Sequence, residues 1–285
     1  MKSKFCFVQL LSISAVLLLS SCSHSGNDLS MLVIPVGSVE QTKKTYAPFV
    51  SYLQSKTGSN VQLVTPSSYL EAKSLVQSSK KFDIVNLNGV LYSQFDLGST
   101  YSVFAQESSD GEVYYNSVFI SYRPSSVRTL SDIQGQKLAL VNPFSTSGAL
   151  VPVLELKKIN LLPDKDYKVS FLGSHISTAD AVSSGRFNVG ATSWKSLKQL
   201  IRTRKVKSDM LRIISVSDPI PLDPWLIRND LDSRKKSLIK SAFYDLSDQK
   251  VLKDLGTDGF IPASSNTHEI LKQDSQVYER LMPQK

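Results

Sequence analysis

The sequence predicts an α/β protein with two lobes and a ligand cleft between them. Three observations carry this. Strand-like and helix-like segments alternate from Met31 to Gly89. A longer strand, Val113 to Tyr122, interrupts the alternation, which starts afresh at Lys137. A proline-rich segment, Pro219 to Pro224, then returns the chain. Two α/β units joined by two crossings imply two helix-covered sheets. Residues 29–118 and 218–285 are assigned to one lobe and residues 119–217 to the other.

The first 28 residues stand apart. Lys2 and Lys4 precede a mostly apolar stretch from Phe5 to Leu19, and small residues Ser20-Ser21 follow. This is the order of a secretory signal, assigned to residues 1–21. Roughly 15 apolar residues are short for a bilayer span, which needs about 20. Leu19-Ser20-Ser21-Cys22 resembles the lipobox of bacterial lipoproteins, which implies cleavage before Cys22 and acylation of its thiol. The other cysteine, Cys6, lies inside the signal, so the exported body has neither a disulfide framework nor thiol chemistry. Several acyl chains anchor stably where one does not. Residues 22–28 then read as a polar tether, and the expected location is the cell envelope, on a membrane and outside the cytoplasm.

Composition agrees with a folded body. Of the 285 residues 41% are apolar and 20% charged, which excludes wholesale disorder. The formal charge of +8 is compatible with nucleic acid or an anionic surface, but export removes the nucleic-acid reading. Loss of residues 1–21 takes Lys2, Lys4 and no acid, lowering the charge from +8 to +6.

Along the body, Met31 to Val36 reads as a buried strand ending at Gly37-Ser38. Ser38-Val39-Glu40-Gln41 has capping-box spacing, and Tyr46, Phe49, Val50 and Leu53 mark one face of a helix stopped by Gly58. Strand 61–64, helix 69–77 and strand 82–85 follow, the last delivering Asn86 to Gly89. In the second unit, strand 137–141 leads to the loop 142–148, then helix 150–158, strand 167–171, helix 178–184, strand 187–191 and a helix through Leu200. The prolines after Val216 are read as forbidding a continuous central strand, and the remainder as helical. Ligands of such sheets bind beyond the carboxyl ends of the strands.

Ser145-Thr146-Ser147-Gly148 is the most informative segment. Three hydroxyls before a helix, with its free N–H groups and partial positive charge, form an anion cradle needing no Arg or Lys. A plain N-cap is the bland alternative. His175, after Gly173-Ser174, is either a pH-responsive donor to an oxyanion or a loop histidine facing water. His24, His175 and His268 are not at ligand spacing, so no metal and no other cofactor is expected. The run Lys195, Lys198, Arg202, Arg204, Lys205 and Lys207 is either a steering patch or a solvated helix face. Trp194 and Trp225 are each a cleft wall or a core aromatic.

With these residues the chain resembles the phosphonate/phosphite/phosphate-binding proteins of bacterial ABC importers, over nearly all of its mature length. The matching motifs occur in the family's order: Thr65-Pro66-Ser67-Ser68-Tyr69, Leu130 to Lys137, Asn142 to Pro152, Gly173-Ser174-His175 and Pro221-Leu222-Asp223-Pro224. The resemblance implies the two-lobed type II periplasmic binding protein fold. It implies a binding protein, not an enzyme, that hands a small phosphorus oxyanion to a membrane permease as a monomer. It implies ligand contacts from Tyr69, Ser145, Thr146, Ser147, His175 and Asp223, and Asn88 is the candidate from the loop after the third strand. Two departures matter. Asp83 to Asn88 lacks the aromatic of the aminoethylphosphonate-binding members, and Lys195 stands where they carry a Glu that meets the ligand's ammonium. A lysine there disfavours an aminoalkylphosphonate. The competing readings are a receptor subunit of a signalling membrane protein, and an exported hydrolase using Ser145 or Ser147 with His175.

Overall fold

The computed structural model describes residues 28–35, 38–78, 82–95 and 97–282. The signal, the lipobox cysteine Cys22 and most of the tether lie outside the described residues. Among the described residues no helix is long and apolar enough to cross a membrane.

The first unit builds as its local signals dictate. Strand β1 (Leu29–Val33) leads to helix α1 (Val39–Thr57). Ser38 Oγ accepts the Gln41 N–H at 3.1 Å, and Gly58 ends the helix in the left-handed region at φ 66°, which a residue with a Cβ rarely adopts. Strand β2 (Val61–Val64), helix α2 (Tyr69–Gln77), strand β3 (Ile84–Asn86) and the short helix α3 (Gly89–Ser93) follow. Then come β4 (Tyr101–Ser108), β5 (Tyr114–Tyr115) and β6 (Ser117–Tyr122).

The second unit comprises β7 (Lys137–Leu140), a π-helical turn (Thr146–Leu150) running into α4 (Val151–Lys158), β8 (Lys168–Phe171), α5 (His175–Ser183), β9 (Val189–Ser193), α6 (Trp194–Arg202) and β10 (Leu211–Val216). The return adds β11 (Ile220–Pro221), β12 (Pro224–Arg228), α7 (Ser233–Tyr244), α8 (Gln249–Leu255), β13 (Gly259–Pro262) and α9 (Glu269–Leu281).

Two sheets result, with strand orders β13-β4-β12-β3-β1-β2 and β10-β6-β9-β7-β8. Each has a parallel β-α-β-α-β half, and each is extended by antiparallel strands on the crossing segments. The small ladder β5–β11 lies between them, at the two crossings. Apolar residues cover both faces of each sheet. The first lobe's larger cluster centres on Phe49, Trp225, Phe243 and Phe260, whose rings meet edge-on or tilted at 4.8–6.1 Å, apart from the stacked Phe49–Phe260 pair. Trp225 is therefore a core aromatic, and Trp194 is half-buried against the core of the second lobe.

Several sequence expectations are corrected. The strand expected over 113–122 is two strands, because β5 pairs with β11 at the crossing while β6 enters the second sheet. Ser117 and Val118 thus pair inside the second sheet, ahead of the boundary drawn at 118/119. The prolines do not exclude a central strand: β12 lies between β4 and β3 and starts at Pro224, the first strand residue, where the missing N–H costs least. Strands β4, β12 and β13 were not expected. The C-terminal helix α9, in the segment assigned to the first lobe, buries Tyr278 in the core of the second, its hydroxyl donating to Pro143 O at 2.9 Å.

Candidate ligand-binding cleft

The cradle forms where β7 ends. Ser145 is the cap, its Oγ accepting the Gly148 N–H at 3.1 Å, so the plain-cap role falls on Ser145 and not on Ser147. The turn is wound one residue wider than an α-helix, with the Leu150 N–H reaching Ser145 O at 3.0 Å. As at any helix start, its first N–H groups lack partners within the helix. Ser117 on β6 donates to Ser147 O at 2.7 Å and the Val141 N–H to Gly148 O at 2.9 Å, which hold the turn against the sheet. Ser145, Thr146 and Ser147 are buried.

The first lobe meets this turn through α3. Asn88 caps α3, accepting the Leu91 N–H at 2.9 Å, and its amide donates to Phe144 O at 2.9 Å across the lobes. The Val90 N–H donates to Thr146 Oγ1 at 3.1 Å. Thr146 thus already accepts one bond, and its hydroxyl lies beside the Tyr115 phenol. Tyr69, at the start of α2, has a desolvated phenol whose pKa is pushed up to about 12, mainly by burial and further by Asp223, with the Asn88 amide offsetting part.

Asp223 follows β11. As a residue it is half-buried, but its Oδ1 is shut off from solvent and has no hydrogen-bond partner within the protein. Burial raises its pKa from the ordinary carboxylate value to about 7, Glu107 adds to the rise, and Lys195 and the Gly89 N–H oppose it. Near neutral pH this carboxyl holds a proton part of the time.

His175 is the first residue of α5. Its Nδ1 lies 2.8 Å from Thr192 Oγ1 and accepts the Ser193 N–H at 3.2 Å, which places the ring proton on Nε2. Burial lowers its pKa to about 4, so at neutral pH it is an uncharged donor. The expectation of a charge that responds near physiological pH is corrected accordingly.

Three groups were missed in the sequence. Tyr115 on β5 has its phenol beside Thr146 and Ser147, and burial, Asp223 and Tyr69 all raise its pKa. Tyr46 of α1 is raised by burial, Glu107 and Asp223. Glu107 on β4 pairs with Lys195 on α6 at 3.4 Å. Of the basic run, Lys195 and Lys198 therefore face carboxylates, the latter Asp110 at 2.7 Å. The convergence of Tyr69, Asn88, Tyr115, Thr146, Ser147 and Asp223 makes a compact polar site with hydroxyl and N–H donors. Among the described residues no group of three or more His, Cys, Asp and Glu is placed to hold a metal ion.

Comparisons with known proteins agree with this architecture. Residues 31–268 match the family of ABC transporter, phosphonate, periplasmic substrate-binding proteins. The phosphonates-binding periplasmic protein of Escherichia coli is 26% identical over 269 residues, spanning 90% of this chain and 79% of that protein. The structure of PhnD1 from Prochlorococcus marinus in complex with methylphosphonate superimposes with a TM-score of 0.79 at 21% identity, covering 89% of this chain and 99% of that one. A binding protein component of an ABC phosphonate transporter from Pseudomonas aeruginosa superimposes with a TM-score of 0.78 at 24% identity, covering 89% and 87%. With most of its length matched by the family and a two-lobed fold shared with these structures, the chain belongs to the periplasmic substrate-binding proteins of ABC phosphonate transporters, and is a binding component rather than an enzyme.

Proposed function

We propose that the protein is a monomeric, lipid-anchored binding protein that captures a phosphorus oxyanion (phosphate, phosphite or a simple alkylphosphonate) and delivers it to a membrane permease. The observation that carries this is the run of three buried hydroxyls at a helix start, of which Thr146 and Ser147 lie beside the Tyr115 phenol, itself in the field of Tyr69 and Asp223. Hydroxyl and N–H donors stabilise an anion without an arginine or lysine in the cradle. In this reading Ser145, Thr146, Ser147 and the Nε2–H of His175 bind from the second lobe, and Tyr69, Asn88 and Asp223 from the first. One oxyanion then bridges the lobes and favours the closed state. Asp223, when ionised, accepts a hydrogen bond from a P–OH group, so the site prefers a protonated oxyanion to sulfate.

Calorimetric titration with phosphate, phosphite, methylphosphonate, aminoethylphosphonate, sulfate and thiosulfate tests the reading. At least one phosphorus oxyanion is expected to bind, sulfate weakly or not at all. Ser147→Ala should weaken the bound oxyanion on the order of tenfold to a hundredfold, since a charge-assisted bond contributes roughly 1.5–3 kcal/mol. A panel that leaves both the heat signal and the melting temperature flat would remove the phosphorus-oxyanion assignment.

The anchor is tested separately. Cys22→Ser should abolish lipid labelling and release soluble or unprocessed protein from the membrane fraction. Retention on the membrane without the label would instead mean an uncleaved N-terminal anchor.

A further inference from the structure

Charge is divided unevenly along the chain. Residues 119–217 carry 15 Lys and Arg against 6 Asp and Glu, a formal +9, whereas residues 22–118 and 218–285 carry 16 against 19, a formal −3. An asymmetry of this kind points to an anionic surface as a partner. Helix α6 divides its own cations as well. Lys195 and Lys198, in its first half, pair with Glu107 and Asp110 of the first lobe, while Arg202 lies in its last turn and Arg204, Lys205 and Lys207 follow in the loop to β10.

The same end of the second lobe gathers three more arginines. The Arg123 N–H donates to Met210 O at 2.8 Å, and its guanidinium to Asp209 O at 2.6 Å and Leu211 O at 2.9 Å. Arg212 reaches back to Arg123 O at 2.7 Å and Val127 O at 3.2 Å. These two knit the loop after β6 to the loop before β10, and Arg128 lies close enough to Arg212 to act on it as a like charge. Arg128, Arg202, Arg204, Lys205 and Lys207 are exposed, and among the described residues none of the five forms an ion pair or donates a side-chain hydrogen bond within the protein. Asp132 caps the Arg128 and Thr129 N–H groups, and Asp209 is the one acid between residues 202 and 212.

This face does not serve the ligand. Strand β6 starts at Ser117, which is bonded to Ser147 O, and ends before Arg123. Six residues at roughly 3.3 Å each put the arginine about 20 Å from the cradle, more than twice the Debye length of about 8 Å at physiological salt. A set of long, unpaired basic side chains suits an anionic bilayer, which attracts each of them separately. Ile201, 37% exposed beside Arg202, adds an apolar side chain of the kind that head groups accommodate. A binding protein of an ABC transporter works beside the membrane that holds its permease, so such a surface is within reach whenever it docks. We propose that the outer end of the second lobe, formed by Arg123, Arg128, Arg202, Arg204, Lys205 and Lys207, is a docking surface for anionic phospholipid, separate from the ligand cleft and from any acyl anchor.

Vesicle sedimentation tests this, with residues 22–285 as the Cys22→Ser protein so that no acyl chain contributes. Vesicles of equimolar phosphatidylglycerol and phosphatidylcholine should retain this parent protein at low salt and release it at high salt, and phosphatidylcholine alone should not bind it. Arg202→Gln, Arg204→Gln, Lys205→Gln and Lys207→Gln combined should lower partition about a hundredfold or more, with oxyanion affinity unchanged. The same charge taken from the first lobe, as Lys43→Gln, Lys44→Gln, Lys250→Gln and Lys253→Gln, should lower it no more than a few-fold. If the first combination does not melt cooperatively, the pairs Arg202→Gln with Arg204→Gln and Lys205→Gln with Lys207→Gln are read separately, each expected to lower partition about tenfold. A parent protein that ignores the anionic vesicles overturns the proposal and leaves an acidic protein as the occupant of this face. Equal losses in the two combinations also overturn it, because net charge and not this face would then drive binding. A parent protein that binds the vesicles but no oxyanion defeats the proposed ligand and leaves this inference standing.

Discussion

Gly148→Ala is expected to abolish oxyanion binding and to destabilise the fold by about 1–3 kcal/mol, the usual cost of overpacking a core. A Cβ at this position would overlap Val141 Cγ2 and lie 2.5 Å from Val141 Cβ and 2.8 Å from Ser145 Oγ. Val141 is buried at the end of β7, and its N–H is bonded to Gly148 O, so strand and turn cannot separate without losing that bond. The turn has to shift instead. Its displacement breaks the Ser145 cap, which depends on the Gly148 N–H, and moves the hydroxyls of Thr146 and Ser147 off their positions. Denaturant melts and calorimetry on the single variant check both effects. Combining Gly148→Ala with Val141→Ala should return part of the stability, because the second change removes the atoms in conflict. A Gly148→Ala protein that melts and binds like wild type would show that the turn is not close-packed on Val141.

Asp223→Asn is expected to stabilise the ligand-free protein at pH 8, and to weaken oxyanion binding at the same time. In the unfolded chain this carboxyl ionises near its ordinary value of 3.8, whereas burial and Glu107 hold its proton to about pH 7 in the folded one. Between these values folding takes up a proton, so its contribution to stability declines as pH rises from about 4 to about 7 and stays unfavourable above. A raised pKa of this size corresponds to a penalty on the order of 4 kcal/mol at pH 8. Asparagine cannot ionise and escapes that penalty. The difference in melting temperature between variant and wild type should be small at pH 4 and large at pH 8. Other titrating groups are common to both proteins and largely cancel. A gain that is equal at the two pH values would mean that Asp223 does not hold the proton. Binding should respond in the opposite direction, because the amide cannot accept a P–OH proton in a charge-assisted bond. The dependence of oxyanion affinity on pH between 6 and 8 should flatten in the variant.

Helix α2 spans Tyr69–Gln77, as the apolar spacing predicts, and α1 ends at Gly58 because a left-handed residue must follow the last turn. Such signals are local: a cap, a period and a stop lie within a few residues of one another. The turn at Ser145-Thr146-Ser147-Gly148 was legible as a helix start for the same reason, since its three hydroxyls and the glycine after them are contiguous. Its winding was not. A helix was expected from residue 150, but the turn starts at Thr146 and is π-wound, with Ser145 rather than Ser147 as cap. Strand β12 escaped because its proline looked prohibitive, and only its place as the first strand residue, paired with β3 some 140 residues earlier, makes it tolerable.

The sequence by itself determined the class of the fold and the run of three hydroxyls after β7, because each is written in neighbouring residues. Tertiary structure alone decided which other groups surround those hydroxyls. Tyr115 and Glu107 belong to strands whose register places them at the cleft, and nothing adjacent in sequence marks them. His175 is neutral because the Ser193 N–H and burial, supplied by β9 and the packing around it, remove the advantage of a second proton. Lys195 reads in sequence as one cation in a basic run, and becomes a partner of Glu107 only when the lobes come together. Charge and desolvation act through space over a few ångströms, whereas the chain orders its residues by covalent sequence, and folding is what converts one kind of neighbourhood into the other.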